Sequence, residues 1–252
     1  MVNMLYRRLI PKIVVESAVS KTSSGYHSIL TRAYEPHRII GDPLSQIRIQ
    51  QSNLVDEIVL VNRCRFGFVS NFSELVLQAC EILSTPLTVG GAITESSHVE
   101  MLFGSGADKV VIGRNRSDLK LLESIASNHG VQALVISVDY SEEDLAFGPE
   151  AFWDREFSLG YLSFAGEICL NNVSRDGRGA GVDLRIVDVI HKETNIPIVV
   201  GCGISTVNQI AECFANGCDA VTLSTFLSQT DQSIKQIRSH LSALGVHIRT
   251  RN

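Results

Sequence analysis

No two cysteines in this chain are spaced as a redox or metal motif. The six (Cys64, Cys80, Cys169, Cys202, Cys213 and Cys218) include no CxxC pair and no disulfide-like spacing. Most sit in apolar runs, as reduced core thiols do. The seven histidines are scattered, with neither HxH nor HExxH, so nothing points to a metal or another cofactor. Positive charge is scarce too: 22 basic residues stand against 27 acidic ones, a net of -5. Binding a nucleic-acid backbone needs clustered positive charge, so nucleic acid is excluded as the main partner. No apolar run approaches the ~18 residues of a membrane span. The opening stretch MVNMLYRRLIPKIVVES leads from basic residues straight into a strand-like run rather than a signal peptide. A reducing cytoplasm is the expected home.

What the chain does have is a repeated apolar rhythm. Short β-rich runs fall at 9–15, 56–62, 86–90, 109–113, 133–139, 166–172, 197–201 and 220–224. Helical spacing fits 43–53, 71–84, 95–104, 117–128, 184–194, 205–216 and 230–244. Strands apolar on both faces that alternate with helices imply a parallel sheet. Eight of them predict a closed α/β barrel, the (βα)8 TIM-barrel class, with residues 1–252 as a single domain.

The barrel is expected to be duplicated. A shift of 111 takes Pro86-Leu-Thr-Val-Gly90 to Pro197-Ile-Val-Val-Gly201, Gly106 to Gly217 and Asp108 to Asp219. A shift of 110 takes Glu57 to Glu167 and Asn62 to Asn172. Two halves of four strands each account for both offsets.

Polarity along the strands sorts the charged residues into two rims. Glu57, Lys109 and Glu167 open their strands and Arg8 precedes the first, so all four belong to the bottom of the barrel. They form either a solvated charged rim or a salt-bridged gate over the central passage. The C-terminal strand ends form the top, where barrels of this class carry their chemistry. Asp139 ends the fifth apolar run, and Asp176 lies in SRDGRGAGVD after the sixth. Each is a candidate general acid or base; the plainer readings are a capping aspartate and an Asp-Gly turn.

The turns VGGAI (89–93) and VGCGI (200–204) bring Gly90, Gly91, Gly201 and Gly203 to the same rim. There backbone N–H groups can approach a phosphate. Gly113 with Arg114, and Ser224 with Thr225, could complete a site in each half, and Gly177 shapes the Asp176 loop. Because barrels also use glycine simply to turn, the duplicated pair carries more weight than either turn alone.

The motifs RRLI (7–10), GDP (41–43), DEIVLV (56–61), TVGGAI (88–93), GADKVVI (106–112), VDY (138–140), GEICLNNVSRDGRGAGVD (166–183), PIVVGCGI (197–204) and GVHIR (245–249) run nearly the whole chain. Together they resemble the cyclase subunit family of imidazole glycerol phosphate synthase. The resemblance implies a glutaminase docked on the barrel bottom, with Asp108 in contact with it. Ammonia would then pass a gate of Arg8, Glu57, Lys109 and Glu167 and reach a bisphosphorylated substrate at the top.

One departure matters. The family pattern has catalytic aspartates ending the first and fifth strands; the fifth matches as Asp139, but the first falls on Val14, which cannot move a proton. Glu16 lies on the same strand face one pleat further along. A family threonine reads Asn171, a family aspartate reads Asn62, and the first loop (17–40) is long, with Lys21 matching a loop lysine.

RLIPKIVV followed by Lys21-Thr22 is similar to a side branch of the family. In that branch a second barrel copy and a second glutaminase supply ammonia to a separate amidotransferase, which makes acetamidino sugars for surface polysaccharides. A genuine cyclase, using Glu16 or the long loop, is the alternative, and a barrel that only activates its glutaminase is a third reading.

Overall fold

The structure, a computed structural model, describes residues 7–17, 25–63 and 71–249. Lys21, Thr22 and Cys64 lie outside them. Eight parallel strands alternate with helices: β1 Arg8–Ser17, then, after a hairpin of β2 Tyr26–Arg32 and β3 Glu35–Gly41, β4 Ile58–Asn62, β5 Leu87–Gly90, β6 Lys109–Ile112, β7 Leu134–Tyr140, β8 Glu167–Asn172, β9 Ile198–Gly201 and β10 Ala220–Leu223. The sheet closes through parallel pairing of β1 with β10, with Arg8 opposite Ala220 and Pro11 opposite Leu223. This is the expected eight-stranded parallel barrel.

The surrounding helices are α1 Pro43–Ser52, α2 Asn71–Ile82, α3 Ser96–Gly104, α4 Leu119–His129, α5 Pro149–Phe157, α6 Arg185–Glu193, α7 Val207–Ala215, α8 Thr225–Gln229 and α9 Ile234–Ala243. Local chemistry sets several starts. Asp42 caps α1 by accepting from the Ser45 amide ahead of Pro43, and Thr206–Gln209 and Ser233–Gln236 form capping boxes on α7 and α9. Such caps satisfy amides that the first helical turn leaves unpaired. Among the described residues no helix is long and apolar enough to cross a membrane.

Three elements depart from the sequence expectation. The long first loop holds the antiparallel hairpin β2–β3, paired along the upper half of β1. Its two-residue turn, Ala33-Tyr34, has φ of 51° and 62°, both left-handed, the geometry that matches strand twist. Helix α5 fills a stretch to which the sequence pattern assigns no element, and a short α8 precedes the last expected helix, 230–244, which runs as α9.

The duplication recurs in the bonding. Asp108 receives the Leu87 amide on Oδ2 at 2.8 Å and returns its own amide to the Leu87 carbonyl at 2.9 Å. One offset of 111 away, Asp219 does the same with Ile198, at 2.9 and 2.8 Å. Consecutive left-handed residues also repeat, Gly91-Ala92 in the first half and Cys202-Gly203 in the second.

Two apolar regions result. The larger lies between sheet and helices and includes Leu60, Ile136 and Leu170. The smaller lies inside the barrel, where Ile10, Val59, Val199 and Ala220 meet, with Val61 and Cys169 against them. Val59 also borders open space in the lumen. A cavity term therefore adds fully at Leu170 and little at Val59. Leu170→Ala is expected to cost about 2–5 kcal/mol, and Val59→Ala only about 1–1.5 kcal/mol, close to its bare transfer value. Denaturant midpoints of the two variants against wild type check the ordering.

Candidate functional site

At the bottom, the four strand-opening charges meet in an alternating ring. Arg8 Nη1 lies 2.9 Å from Glu57 Oε2 and 3.0 Å from Glu167 Oε1; Lys109 Nζ lies 3.1 and 2.8 Å from the same two oxygens. Thr88 adds a hydroxyl donor to Glu57 Oε1 at 2.6 Å. A solvated rim would leave these side chains splayed in water. Instead each cation touches both acids, and Glu57 is 3% exposed. Burial alone would raise the Glu167 carboxyl, but Arg8 and Lys109 hold it below its ordinary value. Burial likewise opposes the Arg8 charge, and the two glutamates more than offset it.

A cavity of about 650 Å³ stands on this ring: Glu57 and Glu167 are in its floor, Val59, Val135 and Val199 in its walls, and Asp139, Tyr34 and Arg114 at its mouth. A second cavity of about 310 Å³ opens beside it over the Asp176 loop. The predicted phosphate residues divide between them. Gly90, Gly91, Gly113 and Arg114 line the first; Gly177, Gly203, Ser224 and Thr225 line the second. Gly201 belongs to neither wall. A Cβ there would strike Thr222 Oγ1 and come within 2.8 Å of Asn171 Oδ1, so its bareness makes room for those side chains. Gly91, at φ 103°, has no room for a Cβ because the Asn62 carbonyl occupies that space.

The two predicted acids are held by the hairpin. Asp139 Oδ1 accepts from the Tyr34 hydroxyl at 2.9 Å, the Ser137 hydroxyl at 2.9 Å and the Asn171 amide at 3.1 Å. Asp176 Oδ2 accepts the Tyr34 backbone amide at 3.0 Å, and its carbonyl takes the Ala33 amide at 3.2 Å. Asp176 is thus an anchor for the hairpin turn, a bond that neither the Asp-Gly-turn nor the acid–base reading anticipated. Asp139 remains exposed at the mouth.

Val14 is buried between Ile29 of the hairpin and Val61. Glu16 is ion-paired to Arg63 at 3.1 Å, and that guanidinium also holds Glu35 at 2.7 Å and the Tyr34 carbonyl at 2.9 Å. It is committed to clamping the hairpin. Asp108, on the bottom rim, is exposed and makes the Leu87 bonds described above.

Two residues of the lumen escaped the sequence reading. Tyr34 spans the mouth, and burial pushes its hydroxyl well above its ordinary pKa, so it donates as a neutral phenol. Lys12 lines both cavities with its Nζ 5.5 Å from the Tyr34 ring centre. Strand alternation puts it on the same face as Val14, the signal that would have found it. Burial pushes the Cys169 thiol up to about 11 and Cys202 to about 12, so the lumen offers no thiolate at neutral pH.

A family model described as "Histidine biosynthesis protein" matches residues 31–232. The chain belongs to this histidine-biosynthesis family. Within the family it is 33% identical over 261 residues to a protein of Prochlorococcus marinus (strain MIT 9313) that carries the provisional name imidazole glycerol phosphate synthase subunit hisF2, covering 98% of this chain and 99% of that one. It is 29% identical to the imidazole glycerol phosphate synthase subunit HisF of Chlorobium phaeobacteroides (strain BS1), covering 98% and 100%. Against the HisF subunit of Exiguobacterium sibiricum the figure is 26%, with the same coverage. The histidine-biosynthesis barrel described here is therefore a HisF-type subunit along its whole length.

The ring carries a pH signature. Because the Glu167 carboxyl is held below its ordinary 4.5, its stabilisation is complete above that value and is lost as pH falls through the lowered one. Glu167→Gln is expected to cost about 1.5–3 kcal/mol at pH 7. Denaturant midpoints measured from pH 7 down to pH 3 should show that gap closing below about pH 4.5.

Proposed function

We propose that this protein is the ammonia-receiving barrel subunit of a glutamine-dependent amidotransferase, in which the cyclase chemistry of its relatives has been lost. The observation that carries this reading is one continuous cavity with a complete charged ring as its floor and valine at the strand end where the family resemblance requires an acid. A glutaminase docks beneath the ring, with Asp108 on the contact face. Ammonia released there crosses when one ion pair opens. It then meets Ile10, Val59 and Val199, an apolar collar that favours neutral ammonia over ammonium because a bare ion is far costlier in apolar surroundings.

At the mouth, the duplicated turns hold a phosphorylated small molecule, and Asp139 and Asp176 frame it. No cofactor takes part. The product nitrogen goes on to a separate amidotransferase that converts an acetamido group of a sugar into an acetamidino group for a surface polysaccharide. The whole complex works in the cytoplasm, and residues 1–252 act as one barrel domain.

The loss of cyclase activity has a magnitude. Removing one of two acid–base groups costs on the order of 10²–10⁴ in rate, and Glu16, already paired to Arg63, is not free to take the role. Purified protein given ammonium and the bisphosphorylated cyclase substrate should leave the substrate absorbance unchanged. Turnover at the rate of an ordinary cyclase would make this a histidine enzyme instead. Val14→Asp should gain at least ~10-fold in that assay.

With the glutaminase bound and glutamine as the nitrogen source, Lys109→Ala should spill ammonia to solvent. Free ammonium would then rise while glutamine hydrolysis continues. A barrel that merely activates its glutaminase would show no such change.

A further inference from the structure

Among the described residues, Lys12 is the one charged side chain that lines both mouth cavities; Val14, Thr31 and Thr222 are the uncharged residues they share. It therefore stands on the partition between the two glycine turns. Ile10 and Val14, next on the same strand face, are buried and apolar.

The surroundings set its charge without using its donors. Burial works to lower the Lys12 pKa, yet Cys202, Cys169, Asp139 and Asp176 raise it overall. The thiols are protonated at neutral pH, so the two carboxylates hold the charge in place. Neither carboxylate is paired to it directly. Asp139 takes its hydrogen bonds from Tyr34, Ser137 and Asn171, and Asp176 takes one from the Tyr34 amide. No carboxylate among the described residues lies within ion-pair distance of Lys12, and its close polar neighbour is the face of the Tyr34 ring at 5.5 Å. An ammonium has three N–H donors, and among the described residues no acceptor is hydrogen-bonded to them, while the side chain lines both cavities. An oxyanion placed against them would be held by charge-assisted bonds, stronger than those of a neutral acceptor.

We propose that Lys12 is the centre of an anion site, binding a further oxyanion, carboxylate or phosphoryl, of a ligand whose terminal phosphate sits on a glycine turn. The site rests on reading the turns as phosphate sites but not on ammonia passage. It also gives a chemical reason for the altered first strand. Where an acid would repel such a group, this strand presents a cation and a neutral valine. The ligand selected is more anionic at its centre than one handled by two aspartates.

The test uses three probes, inorganic phosphate, pyrophosphate and phosphonoacetate, titrated calorimetrically into the full-length protein and Lys12→Met. Wild type should bind pyrophosphate or phosphonoacetate more tightly than phosphate, and Lys12→Met should lose about tenfold to a hundredfold for that probe. Phosphate itself, held by the turns, should change less than about threefold, the usual scatter of such contacts. Pyrophosphate preference marks a phosphoryl centre and phosphonoacetate preference a carboxylate.

A second measurement needs no variant: reductive methylation of Lys12, followed by mass spectrometry, should slow when the tighter probe is present. The exposed Lys120 and Lys192 should react unchanged. Equal affinities in both proteins with an unchanged Lys12 footprint would overturn the proposal, as would the absence of binding by both two-charge probes. If phosphate fails to bind but pyrophosphate binds through Lys12, the central site stands and the turn reading falls.

Discussion

Closure of the sheet by β1 on β10 is the constraint from which everything else here follows. The register, Arg8 against Ala220, fixes which side of β1 faces inward. With a side-chain period of two, that choice sends Arg8, Ile10, Lys12 and Val14 into the lumen at successive heights. A slip of one residue would move all four to the helix side, burying two cations beneath α helices and opening the floor. The bottom ring, the apolar collar, the central cation and the missing acid are thus four readings of one strand's register.

Electrostatics inside the barrel is layered accordingly. At the floor two cations and two acids compensate each other at 2.8–3.1 Å, so charge is present without net field. The next layer is hydrocarbon. Above it a lysine stands near two carboxylates that are bound to other donors. The hairpin turn organises this top layer, because Tyr34 meets Asp139 through its hydroxyl and Asp176 through its amide. A residue inserted at the tip of a loop therefore sets the environment of both acids, while Arg63 and Glu16 fasten the loop from the side.

Much of this was legible in the sequence, for physical reasons that also explain the gaps. Strands buried on both faces announce themselves as apolar runs, and acids or bases at their openings can only face a rim; hence the ring was readable down to its four members. Glycine turns were readable because the VGGAI and VGCGI motifs recur at a fixed offset, and both carry two consecutive left-handed residues. The hairpin was not, since Ala33-Tyr34 lacks the Asn-Gly or Asp-Gly pair that usually marks a left-handed turn. Helix α5 was missed although Gly148-Pro149-Glu150 is a plausible helix start. Lys12 was absorbed into an apolar strand when its parity should have singled it out. That Gly201 also makes space for Thr222 and Asn171 was not readable, because those neighbours are far apart in the chain.

The ring has a further property that comes from where its members sit in the duplication. Arg8, Glu57 and Lys109 belong to the first half and Glu167 to the second, and Glu167 grips both cations across the barrel axis. The floor is thus also a clasp between two ancestral half-barrels, each internally tied by its own Asp108 or Asp219 bonds. Breaking either Glu167 bond loosens the grip of one half on the other, whereas the Glu57 pairs to the same two cations lie within the first half. A load that pulls the two halves apart is therefore borne at the floor by Glu167, while Glu57 keeps both cations seated in the first half.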